Sequence, residues 1–331
     1  MILVQVGFAS QRDCYREVLT CMGDVVRIGS RASKLARTQV SEWLAPLVGQ
    51  FPEVTFKREV ILEGGDQDRV TPTLAEVAKT AGGSAFSTNQ EAALVTGRVD
   101  VIVHSLKDLP TAVTEGTTLL ITPGPREDVR DVLCGATLAG LPEGATVGTG
   151  APRRVAQLLA LRPDLNVVPI RGNVPGRLAR TTKGALDAVV LAAAGLNRLG
   201  LTPEIHEVLD ARLFLPSPGQ GALGIQVRTG SPTAQLLAAT GDSEVDACVR
   251  AERALLAELH GGCSVPVGAW GRVARDGLLH LSAAVTSTDG TQQVAAEATG
   301  PADEPEKLGF TVTADLLNQG AADILAAIRS L

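Results

Sequence analysis

Residues 99–110 of the chain read VDVIVHSLKDLP. The first six, Val99 to His104, are nearly all apolar and β-branched, the composition of a strand buried on both faces. Lys107 and Asp108 follow at once. In open α/β sheets ligands bind beyond the carboxyl ends of the strands, so this pair is expected to face a cleft. There Asp108 could stabilise a cation or transfer a proton, and Lys107 could bind an anion. A Lys–Asp pair closing a surface turn fits the same pattern equally well. His104 reads as a packed strand-end residue.

Working outward, Val25–Ile28 reads as a strand and Ser33–Gln50 as a helix, with apolar Leu35, Val40, Leu44 and Leu47 on one side and Pro52 to end it. Val60–Leu62 belongs to a second strand, and Thr73–Lys79 and Thr88–Val95 look helical. This alternation implies a mostly parallel sheet with helices on its faces. A second unit repeats it, with strands at Thr146–Gly148, Val167–Ile170 and Ala188–Leu191 and a helix at Arg153–Leu161. Pro and charge cluster at Pro123–Asp128, and residues 215–221 read LPSPGQG, so the chain crosses twice between two hinged lobes. Ala269–Val273, Leu278–Val285 and Thr291–Glu297 read as antiparallel strands, with a turn at Thr288-Asp289-Gly290, and Ala314–Ile328 as one helix. The expected fold class is α/β: two lobes with mixed, mostly parallel sheets, plus a small α+β C-terminal domain with an antiparallel sheet. The expected boundaries are an extension at 1–24, a first domain at 25–123 and 222–240, a second at 124–221 and a third at 241–331.

Composition narrows the function. Of 331 residues 45% are hydrophobic but only 3% aromatic, so the cores must be built from Ala, Val and Leu. A formal net charge of −6 argues against a nucleic-acid protein. No apolar run is long enough to span a bilayer, and the N-terminal residues do not read as a signal peptide, so a cytoplasmic protein is expected. The five cysteines are Cys14, Cys21, Cys134, Cys248 and Cys263, and their spacing suits no common metal motif. Cys263 stands out because it lies in the Gly-rich loop His260-Gly261-Gly262-Cys263. Such a loop can approach a cleft closely, and a thiol there suits covalent work, although a free Cys is commonly a buried structural one.

Arginines recur at corresponding strand-to-helix junctions. Arg31 follows the first strand. Arg153 and Arg154 open a helix after VGTGAP. Arg171 and Arg177 flank the next junction, and Arg198 follows the strand ending at Leu191. Guanidinium groups pair bidentately with carboxylates and phosphates, and helix N-termini favour anions, so the expected ligand is polyanionic.

In this order the segments VRIGSRASKLARTQV, VIVHSLKDLP, PRR, IRGNVPGRL, AAAGLNRLGL, LPSPGQGALGIQVR and ERALLAELHGGCSVPVG resemble the porphobilinogen deaminase (hydroxymethylbilane synthase) family. The resemblance covers Val25 to the tail. It implies lobes like those of periplasmic binding proteins, and a third domain whose Cys carries a dipyrromethane cofactor through a thioether. Four porphobilinogen molecules would be added to that primer in the heme pathway, releasing ammonia and then hydroxymethylbilane. Cys263 matches the attachment position and Asp108 the catalytic carboxylate. Lys107, Ser105, Arg153, Arg154, Arg171 and Arg177 match cofactor-binding positions, and Arg31, Ser33, Arg198 and Gln220 substrate-binding ones. The resemblance implies a monomer with a small-molecule substrate and no metal, nucleic-acid or membrane partner. Two departures stand out. Lysines usual in the family are missing at Gly83 and Thr88, and Gly150-Ala151-Pro152 replaces the usual Ser-Ser-Leu. The loop at Gly82–Thr88 is expected to act as a lid. A diverged inactive paralogue and a two-lobed polycarboxylate-binding protein without turnover remain the alternative readings.

Overall fold

The computed structural model describes residues 25–64, 87–259 and 265–329. The N-terminal extension, the Thr73–Lys79 helix, the loop from Gly82 to Phe86, and His260 and Cys263 lie outside the described residues.

Two five-stranded sheets are built to one plan. The first contains β1 (Val25–Ser30), β2 (Thr55–Val60), β3 (Val101–Ser105) and β4 (Thr117–Leu119). The second contains β5 (Asp131–Cys134), β6 (Thr146–Thr149), β7 (Asn166–Pro169), β8 (Ala188–Ala192) and β9 (Glu207–Val208). The chain then returns to the first sheet as β10 (Leu223–Arg228). The strand orders are β2-β1-β3-β10-β4 and β7-β6-β8-β5-β9. In each sheet one strand, β10 or β5, runs antiparallel to both neighbours while the others share one direction, so both sheets are mixed and mostly parallel. The reversed strand is contributed late in the first sheet and early in the second. This shared architecture has no counterpart in an obvious sequence repeat.

Period-two alternation buries both faces of the central strands. Val101 and Val103 of β3 join Val26, Ile28, Leu223 and Ile225 against Val40, Trp43, Leu44 and Leu47 of the helix Lys34–Gln50. Ile102 points the other way, against Ile61, Leu94 and Val99. In the second sheet Ala188 and Val190 face Leu158 and Phe214, while Val189 and Leu191 face Ile170 and Leu196. The helix Lys34–Gln50 begins as expected, with Ser33 as its cap, and runs through Pro46 to end at Phe51.

The tail is a separate layer. Strands β11 (Val267–Val273), β12 (Leu278–Thr286) and β13 (Gln293–Pro301) form an antiparallel sheet. Its core joins Leu279, Leu281 and Val285 to Ala251 and Leu255 of the helix Ser243–Glu258 and to Leu308, Val312 and Leu316. The single helix expected over Ala314–Ile328 is instead two helices, Pro305–Asn318 and Ala321–Arg329. Gly320, at φ +97°, breaks them apart in a backbone conformation open chiefly to glycine.

Glu252 ties the tail to both crossings. Its buried carboxylate takes a bidentate pair from Arg126 at 2.8 and 2.9 Å, and accepts the backbone N–H groups of Gly219 and Gly271 at 2.7 Å each. Arg126 lies on the first crossing and Gly219 on the second, while Gly271 is in β11. Removing one partner of a buried ion pair leaves the other charge uncompensated. Glu252→Ala is therefore expected to destabilise the fold by about 3–5 kcal/mol, measured by urea denaturation; a loss below about 1 kcal/mol would contradict the role given to Glu252.

Candidate active site

Strand β3 ends at Ser105 and passes into a short 3-10 turn, Leu106–Asp108. The turn places the half-buried Asp108 on a cleft lined by Arg31, Ser33, Gln39, Gln90, His104 and Ser105. Among the described residues Asp108 makes no hydrogen bond or ion pair to a protein group, so its carboxylate is available to a ligand. Arg253, from the helix Ser243–Glu258, donates to the carbonyls of Leu109, Pro110 and Thr111 at 3.1, 2.7 and 3.3 Å, and so fastens the segment that follows Asp108.

The cleft walls are partly self-satisfied. Ser33 caps its helix by accepting the N–H of Ala36 at 3.1 Å. Ser105 and Gln39 exchange two hydrogen bonds, at 2.8 and 3.1 Å. Gln39 is almost fully buried and was not among the residues picked out from sequence. Glu63 was also missed. It accepts the N–H groups of Gln90 and Asn89 at 2.8 and 3.2 Å at the start of the helix Thr88–Val95, and burial raises its carboxyl. His104 is buried and shares a 2.9 Å hydrogen bond with Gln226. Burial pushes its pKa down to about 4, so it packs as a neutral imidazole.

Asp131, at the start of β5, organises the arginine side of the site and has no exposed surface. Arg153 reaches it at 2.7 Å, and Arg154 at 2.7 and 3.1 Å. Gln220 donates to it at 2.9 Å and accepts the ammonium of Lys107 at 3.1 Å. Burial alone would raise the Asp131 carboxyl, but Arg153 and Arg154 hold it well below the usual carboxylate range. Arg153 also donates to the Leu215 carbonyl at 2.6 Å, and Arg154 to that of Val190 at 3.2 Å. Both guanidiniums thus spend much of their donor capacity on the protein. Sequence reasoning missed Asp131, which lies just beyond the charged crossing and carries no motif of its own.

Several cations stand close together here. Burial pushes Lys107 down to about 8, with Arg154 adding to the shift while Asp108 and Asp131 oppose it. Burial likewise lowers Arg177 to about 10, with Arg154, Arg171 and Arg180 adding and Asp108 opposing. Arg177 is anchored through its Nε to the Gly172 carbonyl at 2.8 Å. Partly desolvated cations that repel one another are relieved by an anionic ligand.

Arg31, Ser33, Ser105 and Asp108 therefore share one cleft, while Lys107, Gln220, Arg153 and Arg154 share one buried network. Arg177 is coupled to both through its charge, and Arg171 to Arg177. Arg198 stands apart, in an ion pair with Glu42. At the departure Gly150, an added Cβ would stand 2.6 Å from the Ile170 carbonyl oxygen. A serine there would require the backbone after β7 to shift, so the missing hydroxyl goes with a tighter approach of two chain segments.

Two family models match the chain. One describes the porphobilinogen deaminase dipyrromethane cofactor-binding domain and matches residues 26–236; the other describes the C-terminal domain of the same enzyme and matches residues 247–318. The chain is 44% identical over 311 residues to the porphobilinogen deaminase of Desulforudis audaxviator, covering 92% of this chain and 98% of the relative. It is 45% identical over 312 residues to that of Thermobifida fusca, covering 91% and 95%. Among solved structures it is loosely similar to substrate-binding domain 2 of GlnP from Lactococcus lactis, at a TM-score of 0.40 and 12% identity over 66% of this chain and 88% of that one, a likeness that bears on nothing further. No described helix is long and apolar enough to cross a membrane. With both models matched in order and relatives this similar over nearly their whole length, the chain belongs to the porphobilinogen deaminase family.

Proposed function

We propose that the chain condenses four porphobilinogen molecules head to tail in the cleft beside Asp108, on a dipyrromethane primer held by Cys263, releasing ammonia and then hydroxymethylbilane in tetrapyrrole biosynthesis. The observation that carries the reading is the gathering of half-buried and buried cations, Lys107, Arg153, Arg154 and Arg177, near one ligand-accessible carboxylate among the described residues. Each pyrrole unit brings two carboxylates, so a chain of such units is the polyanion that this gathering suits.

The residues fit the cofactor. Lys107 and Arg177 are half-buried cations at depressed pKa, Arg171 acts on Arg177 through its charge, and Ser105 lines the cleft of Asp108. When bound, dipyrromethane would supply the nucleophilic pyrrole to which the first unit is joined, each later unit being joined to the last pyrrole of the chain. Arg153 and Arg154 act chiefly through their charge, because their donors are largely taken by Asp131 and backbone carbonyls. Arg31 and Ser33, on the lobe that carries Asp108, orient the carboxylates of the incoming substrate. Gln220 holds the Lys107 ammonium in place, and Arg198 receives a substrate carboxylate at the junction of the lobes. Asp108 protonates the leaving amine and then offsets the positive charge that develops on the reacting pyrrole.

We assign residues 25–123 with 222–240 to the first domain, 124–221 to the second and 241–331 to the third. The principal hydrophobic clusters, which fall within those spans, support the division. The enzyme is read as a cytoplasmic monomer; the free, buried Cys134 and Cys248 are in keeping with a reducing compartment.

Two outcomes are expected. A carboxylate brought beside Lys107 favours its protonated form, so loading the site raises a pKa that stands near 8 without ligand. Nitrogen-15 lysine NMR, with Lys107→Gln for assignment, should place the Lys107 titration near 8 in Cys263→Ser protein and clearly higher in loaded enzyme; equal values in the two would contradict the placement of Lys107. Asp108→Ala should keep the cofactor yet lose porphobilinogen turnover by about a hundredfold or more, the scale of a general acid. Near-normal consumption of porphobilinogen by that variant would sink the role given to Asp108.

A further inference from the structure

Arg198 sits in the last turn of the helix Ala193–Leu199, on the second lobe, and its side chain is only 5% exposed. Its Nε donates to Glu42 Oε2 at 2.7 Å, and its Nη2 to Glu42 Oε1 at 3.3 Å and to the Gly221 carbonyl at 3.0 Å. Glu42 belongs to the helix Lys34–Gln50 of the first lobe, and Gly221 lies on the second crossing, just before β10. One guanidinium therefore joins both lobes and the segment between them. The two helices meet closely here: a Cβ on Gly195 would lie 3.9 Å from Leu35. Among the described residues Arg198 has no other carboxylate partner, and Glu42 has no other cation.

The pair is uneven. Arg198 is sheltered, whereas the Glu42 carboxylate is 38% exposed and readily rehydrated. A fork-to-fork Arg–carboxylate contact is directional, but its net value falls when one partner is wet. A ligand carboxylate offers Arg198 the same fork, and the Gly221 carbonyl can keep Nη2 as a pivot while the partner is exchanged. Glu42 then returns to water at little cost.

We propose that Glu42 is a positioning residue of the reaction: it latches the two lobes together by holding Arg198, and gives the guanidinium up to a substrate carboxylate, so that binding unlatches the lobes. The inference rests on the reading above that Arg198 receives such a carboxylate. It explains why a residue expected at the substrate is found in an ion pair with protein. It also gives the growing chain a means of loosening the lobes around it, because a ligand shifts such an equilibrium only through different contacts in its two states.

The test uses loaded enzyme carrying Glu42→Gln, a nearly isosteric change on a helix surface, beside Arg198→Gln. Removing the competing carboxylate should lower the KM for porphobilinogen by roughly threefold with kcat little changed, the size expected for loss of a half-exposed ion pair. Small-angle scattering should show a wider unliganded molecule, which a merely local structural role would not produce. Arg198→Gln should widen the molecule as well but raise KM. A Glu42→Gln enzyme with wild-type KM and wild-type scattering overturns the latch. An unchanged KM in Arg198→Gln, with Glu42→Gln still widening the molecule, overturns instead the reading of Arg198 as a substrate contact.

Discussion

Asp131 has no surface in contact with solvent, yet it is charged, because two guanidiniums and a glutamine amide converge on it. Burying a carboxylate is costly unless it is paired and hydrogen-bonded. Here one carboxylate answers two arginines, and Gln220 links it to the Lys107 ammonium. The second crossing carries Gln220, and the Gln220 backbone carbonyl accepts Arg126, which is bound in turn by Glu252. The arginine lobe, the lobe of Asp108 and the tail are thus joined by one chain of buried charges. The fold depends on that chain for cohesion between its parts, and the site depends on it for cations held ready before any ligand arrives.

Preorganisation of this kind explains how a protein with a formal charge of −6 can bind a polyanion. The cations of the site are concentrated and partly desolvated. Lowered pKa values at Lys107 and Arg177 reflect desolvation first and the neighbouring like charges second. A ligand rich in carboxylates relieves that repulsion, so part of its binding free energy is already stored in the unliganded protein. Losing the hydroxyls usual at Gly150 and Ala151 leaves this arrangement intact, because the charges and not the hydroxyls dominate it.

Much of this was legible in the sequence, for identifiable reasons. The run from Val99 to His104 announced a strand buried on both faces, and β3 buries Val101 and Val103 on one side and Ile102 on the other. The helix expected from Ser33 is present, with Ser33 serving as its cap. What stayed hidden depends on residues distant in sequence. Asp131 and Gln220 are 89 positions apart, and Arg126 and Glu252 126 apart, so no local pattern could have paired them. Mixed sheets and the return of residues 222–240 to the first lobe were expected, but no local pattern singled out β10 or β5 as the reversed strand. The break at Gly320 was readable, but the apolar periodicity running through it favoured one continuous helix. Arg198 was recognised as a charged junction residue, yet its partner Glu42 lies on an exposed helix face that gave no sign of meeting another lobe.

Intact-protein mass spectrometry tests the account most directly. The purified chain is expected to exceed its sequence mass by one dipyrromethane increment, to gain further pyrrole increments on mixing with porphobilinogen, and to lose all of them in Cys263→Ser. A protein that turns porphobilinogen over at full rate while its mass stays at the unmodified value would contradict the covalent primer on which the reading of this cleft depends.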